Sequence, residues 1–118
     1  TILPGQQNKH IPGTNEFRQY ERKLKTKGQY GPSRLTISVE EAQELVNQYA
    51  GTGSIKIGSN GQWDRKETIM ANDKVMGIAV NNLTGQEVET TVFRIHYGEK
   101  GTHIVPDYPS KKRKENQG

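Results

Sequence analysis

Thr90-Thr91-Val92-Phe93-Arg94-Ile95-His96-Tyr97, the turn Gly98-Glu99-Lys100-Gly101 and the return Thr102-His103-Ile104-Val105-Pro106 read as a closing β-hairpin. A four-residue loop that closes symmetrically sets Tyr97 opposite Thr102, Ile95 opposite Ile104 and His96 opposite His103. Alternation then gives Phe93, Ile95 and Tyr97 one face and Arg94 and His96 the other. Two of the chain's three histidines share a face with a fixed cation. A base, an acid and a positive charge in one place suit chemistry on a phosphodiester. A solvated polar face opposite a packed one is the plainer reading of the same pattern.

Upstream of the hairpin the sequence reads as sheet back to Ile55. Ile55 and Ile57 lead to a turn at Asn60-Gly61, residues 63–70 return, and residues 75–80 form a third strand before Asn82-Leu83-Thr84-Gly85 turns the chain again. Two helices precede this meander. Thr14 is a candidate N-cap for a helix reaching about Lys27, with Phe17, Tyr20 and Leu24 on one stripe. Ser38-Val39-Glu40-Glu41 has the capping-box pattern, and Val39, Ala42, Leu45, Val46 and Tyr49 supply the second apolar stripe. Leu35-Thr36-Ile37 is a short strand-like segment, Trp63 reads as core, and residues 1–13, rich in Pro and Gly, read as an irregular arm. The expected fold is α+β, with two N-terminal helices packed on a four- to five-stranded antiparallel sheet.

The 118 residues suffice for one domain, taken as 1–109, followed by a basic tail, 110–118, expected to be disordered. The apolar share is 30% and the mean hydropathy −0.94, so the core must come from few elements. The tail holds four of the 17 cations and one of the 13 acids, leaving 13 against 12, or +1, on residues 1–109. Overall charge is therefore a weaker pointer to nucleic acid than local clustering, as in Arg18, Arg22, Lys23, Lys25, Lys27 and Arg34. The absence of cysteine excludes a disulfide framework, a thiol nucleophile and a cysteine zinc site. No apolar run approaches membrane-spanning length, and no membrane association is expected. A start at Thr1 rather than Met suggests a C-terminal module of a longer protein.

Three segments carry a resemblance. Asn8-Lys9-His10-Ile11-Pro12-Gly13-Thr14, Tyr30-Gly31-Pro32-Ser33-Arg34-Leu35 and Gly101-Thr102-His103-Ile104-Val105-Pro106-Asp107-Tyr108-Pro109 resemble the polymorphic-toxin domain known as bacterial toxin 50. That family is grouped with the barnase, EndoU, colicin and RelE ribonucleases, whose helices pack on an antiparallel sheet. It occurs at the C-terminal end of secreted toxins of bacterial competition and of phage head proteins. Where relatives often carry a histidine after the first glycine, this chain has Thr14.

The resemblance implies a metal-independent endoribonuclease with no cofactor, cleaving RNA by 2′-hydroxyl attack to leave a 2′,3′-cyclic phosphate. His10 and His103 become the base and acid, in either order, and Thr102, Ser33, Lys9 and Arg34 the phosphate contacts. His96 is a third catalytic group or holds a phosphate or a base, Tyr97 is core or a substrate contact, and Tyr108 is a stacking surface for a base. The histidine positions give no recognised metal spacing, and Gly31-Pro32-Ser33 is not a nucleophile elbow. Expected partners are RNA and a cognate acidic immunity protein, with the domain otherwise monomeric. The domain would be secreted or delivered and would act in the target-cell cytoplasm. The alternative is a non-enzymatic nucleic-acid or capsid interaction module of a phage structural protein.

Overall fold

The computed structural model describes residues 1–110, so the expectation of a disordered tail falls almost wholly outside the described residues. The order is α1 (Pro4–Gln7), a single 3₁₀ turn (Asn8–His10), α2 (Asn15–Thr26), β1 (Arg34–Leu35), α3 (Val39–Tyr49), β2 (Ser54–Ile57), β3 (Trp63–Ile69), β4 (Gly77–Val80), β5 (Glu87–Thr90), β6 (Phe93–Tyr97) and β7 (Thr102–Pro106). The fold is α+β.

Both expected helices form with the expected caps. The Thr14 hydroxyl accepts from Phe17 N at 3.1 Å, and Ser38 and Glu41 close a reciprocal capping box. The opening arm is more regular than its Pro and Gly content suggests. Pro4 sits in the first turn of α1, where its missing N–H costs nothing and its fixed φ is already helical.

Two antiparallel sheets replace the single meander, with strand orders β1-β4-β5 and β2-β3-β6-β7. The expected strand from Thr90 to Tyr97 is broken at Thr91 and Val92, where the chain leaves one sheet for the other. Val92 and Phe93 are both fully buried, which simple alternation does not permit within one strand. Thr90 secures the corner: its hydroxyl accepts from Val92 N at 3.0 Å and donates to the Asp107 carbonyl at 2.6 Å. The sheets meet where β4 crosses β7. A Cβ on Gly77 would lie 2.6 Å from the Arg34 carbonyl and 2.5 Å from Pro106 Cγ, so only glycine allows that approach.

The four-stranded sheet has two faces of different character. One carries Phe93, Ile95, Ile104 and Ile69 and packs with Ala42 and Val46 of α3 in the main core, with Tyr49 edge-on to Phe93 at 6.3 Å. Trp63 is not core. It is 39% exposed, lies against Tyr97 at 5.3 Å between ring centroids and donates from Nε1 to the Lys66 carbonyl at 2.9 Å. It stands in the exposed outer part of β3.

β7 is an edge strand, and the N-terminal segment covers it. Ile2 bridges Thr102 in parallel, Leu3 N donates to the Thr102 carbonyl at 2.8 Å and Thr102 N to the Thr1 carbonyl at 2.8 Å. Gln7 then takes the place of a further strand. Its Nε2 donates to the Ile104 carbonyl at 2.9 Å and its Oε1 accepts from Ile104 N at 2.8 Å. The edge is thereby closed, and the chain is delivered around it to the sheet's other face, three residues before His10.

Candidate functional site

The register of β6 and β7 is Tyr97 opposite Thr102, His96 opposite His103, Ile95 opposite Ile104 and Arg94 opposite Val105. β3 pairs on the other side of β6 with Lys66 opposite His96 and Thr68 opposite Arg94. Cross-strand partners share a face, so His103, His96 and Lys66 form one row across three strands, with Val105, Arg94 and Thr68 beside it. His103 and His96 lie 4.6 Å apart between ring centroids. His10 reaches the same face from the 3₁₀ turn and stacks on His103 at 6.1 Å with the ring planes 10° apart. Tyr20 of α2 meets His10 edge-on at 5.7 Å. All three histidines of the chain stand in one line.

His10 is buried, with Nδ1 2.9 Å from the Ser33 carbonyl. A carbonyl only accepts, so Nδ1 carries the proton and the neutral ring presents Nε2 as its lone-pair nitrogen. Arg94 is bound to Asp107 through Nε and Oδ2 at 3.4 Å, which anchors the cation beside the row. Burial holds His96 down to about 3, aided by the charges of His103, Arg94, Lys66 and His10. Burial likewise holds His103 down to about 4, with His10, Lys9 and Arg94 adding to it. His10 is also lowered by burial; its Ser33 bond opposes the shift, and Lys9 and Arg94 reinforce it. The row is thus neutral at neutral pH and set among cations, ready to take up a proton when an anion arrives.

These shifts fix a pH dependence of stability. Folded, all three rings titrate below their ordinary value, His96 and His103 at about 3 and about 4, whereas unfolded histidines protonate near 6.5, so below pH 6.5 the unfolded chain binds more protons. Stability is fully present above pH 6.5 and falls as the pH drops from there through about 4, where His103 titrates, toward about 3, where His96 does. Urea unfolding between pH 7.5 and 4.5 is expected to show uptake of more than one proton per chain. A midpoint constant over that range would contradict the buried row.

The expected site residues divide. Lys9 adjoins the row, since its charge acts on both His10 and His103. Ser33 contributes its carbonyl; its hydroxyl is occupied in accepting from Val80 N at 2.9 Å. Thr102 falls on the opposite face, because it pairs with Tyr97 rather than with a member of the row, and its hydroxyl is buried. Arg34 does not reach the row. It is paired with Glu87 at 2.8 Å in a separate cleft floored by Tyr30 and Pro32. The Tyr97 hydroxyl donates to Glu67 at 2.5 Å, and that bond, with burial first, pushes Tyr97 up to about 12. Glu67 also accepts from Gly51 N at 3.0 Å and Gly53 N at 2.7 Å; burial pushes its carboxyl up, but these bonds outweigh it and hold it lowered. Tyr108 follows Asp107 at the Arg94 end, its hydroxyl buried and raised by burial and by Asp107.

Three contributors escaped the sequence reading: Lys66 in the row, Tyr20 behind His10, and Gln7, which places the 3₁₀ turn. The row opens into a cleft of about 550 Å³ between β3 and the β6–β7 turn, lined by His96, His103, Arg65, Lys66, Tyr97 and Lys100, together with the acidic Asp64 and Glu99. Among the described residues no group of three or more His, Asp or Glu is placed to hold a metal ion, and no helix is long and apolar enough to cross a membrane.

Comparison with protein families matches bacterial toxin 50 over residues 2–106, a span that contains the whole row and every segment that positions it. The chain belongs to the bacterial toxin 50 family. No curated protein matches the chain. Family membership makes it a bacterial toxin domain, and within the matched span His10, the Ser33 carbonyl, His96 and His103 come together.

Proposed function

We propose that this toxin domain is an endoribonuclease that cleaves RNA without a metal. The observation that carries the reading is the line of His10, His103 and His96 beside Arg94, Lys66 and Lys9. Strand scission by transesterification needs a base to take the 2′-hydroxyl proton and an acid to protonate the departing 5′-oxygen. It also needs positive charge at the five-coordinate phosphate. The 2′-oxygen bonds to phosphorus as the bond to the 5′-oxygen breaks, leaving a 2′,3′-cyclic phosphate and a 5′-hydroxyl end.

His10 and His103 serve as the base and acid pair, with His96 and Lys66 beside the phosphate. The phosphate's own charge favours protonation of the ring beside it, so the neutral row becomes a base and an acid on binding substrate. Arg94 and Lys9 supply fixed charge, and the Ser33 carbonyl keeps His10 in the tautomer that presents Nε2. Within this reading the domain is the C-terminal effector of a delivered toxin and acts in the target-cell cytoplasm. Its producer is protected by an acidic immunity protein that covers the row.

Incubating the purified domain with total cellular RNA in EDTA tests the reading. Discrete fragments ending in cyclic phosphate are expected. Intact RNA across the pH range 5–8 would count against a ribonuclease and leave the domain as a binding module.

A further inference from the structure

β3 is not regular where it borders the cleft. Its pairing with β2 jumps from Ile57 opposite Trp63 to Ile55 opposite Glu67, so Lys56 alone faces Asp64, Arg65 and Lys66. Within this bulge Arg65 adopts φ 63°, the one non-glycine residue at positive φ among the described residues. A left-handed backbone at a long side chain is unfavourable and is kept only where its surroundings enforce it. The enforcing contacts are the Asp64 carboxylate, which accepts from Lys66 N at 3.1 Å, and the Trp63 indole, which donates to the Lys66 carbonyl at 2.9 Å. Bulges of this kind re-aim side chains.

Here Arg65 and Lys66 both line the cleft that holds His96 and His103, and Lys100 of the β6–β7 turn lines the same cleft. Lys66 belongs to the histidine row itself. Arg65 stands one residue further out along β3, past the row. Of the two acidic side chains in the lining, Asp64 is held by the bulge, and Glu99 lies in the turn beside Lys100.

We propose that the Trp63–Lys66 bulge is a subsite for a second backbone phosphate of single-stranded RNA, one next to the scissile phosphate, with Arg65 as its principal contact and Lys100 facing it. The subsite rests on the ribonuclease reading and adds to it a direction for the bound strand, from the row outward along the β2–β3 hairpin. Arg65 positions substrate and takes no part in proton transfer.

The test uses Arg65→Gly, which removes the guanidinium and accepts the left-handed backbone, so the bulge is retained. Binding of a 2′-O-methyl oligoribonucleotide, which has no free 2′-hydroxyl to attack, is followed by fluorescence anisotropy across a series of KCl concentrations. The variant is expected to bind several-fold more weakly, with a thermal midpoint no lower than that of the parent. Its salt slope should be smaller by about 0.7, the value for one phosphate contact on a single strand. On a cleavable oligonucleotide the loss should appear in KM with kcat nearly unchanged. Equal affinity and equal slope in a parent and variant that both cleave RNA would overturn the subsite alone. A parent that neither binds nor cleaves RNA would overturn the ribonuclease reading and the subsite with it.

Discussion

His103→Ala is expected to lower RNA cleavage by about 10²–10⁴-fold, the usual worth of one well-placed proton transfer, while thermal stability changes little. The ring is half-buried and lies between the other two histidines, its centroid 6.1 Å from that of His10 and 4.6 Å from that of His96. Its β7 position is held by backbone pairing that alanine retains. His10→Ala should lose a similar factor. The double variant should lose much less than the product of the two, because residues that act on one reaction as a unit are not additive. Cleavage rates with total RNA, beside thermal denaturation of each variant, decide the matter. If His103→Ala cleaves within threefold of the parent, the stacked pair is not the catalytic one, and the chemistry would have to be sought in His96 and Lys66.

The same residues show how far a sequence can be read. The register His96 opposite His103 follows from a four-residue turn, because a short loop leaves little freedom between the strands it joins. The caps at Thr14 and Ser38 are legible for a similar reason, since each depends on a neighbour three residues away. Lys66 was not legible. Its place beside His96 depends on pairing between β3 and β6, which are separated by a corner, two further strands and a change of sheet. The corner at Thr91-Val92 hides within a run that looks like continuous strand, and only the adjacent buried pair Val92-Phe93 marks it. Arg34 sits next to Ser33 in a shared motif, yet its side chain turns to Glu87. Ser33 serves the site through its backbone carbonyl alone, so sharing a motif does not mean sharing a site. Thr102 beside His103 makes the same point differently, because adjacent strand residues point to opposite faces.

Gln7→Leu is expected to be the most destabilising single change outside the apolar core, at about 2–6 kcal/mol. Leucine is close in size but has no polar atoms, so both Ile104 backbone groups, which now bond the Gln7 amide at 2.8 and 2.9 Å, would be buried without partners. Each such orphan costs about 1–3 kcal/mol, and in a domain near this size every kcal/mol moves the thermal midpoint by roughly 4–8 °C. A loss of about 10 °C or more in the midpoint is the expected reading; a shift under 2 °C would mean that the amide is replaceable by water or by movement of the edge. The consequence extends to the site, because Gln7 directly precedes the 3₁₀ turn that carries His10 over the β7 edge. Stacking of His10 on His103 requires the N-terminal segment to be docked, and the Ser33 carbonyl can fix the ring's tautomer only from that position. Well below its midpoint, Gln7→Leu should therefore cleave RNA more slowly than the parent although no group of the row has been altered. A variant with a lowered midpoint and full activity would show instead that the Ser33 bond and the ring stacking suffice to hold His10 once the edge has loosened.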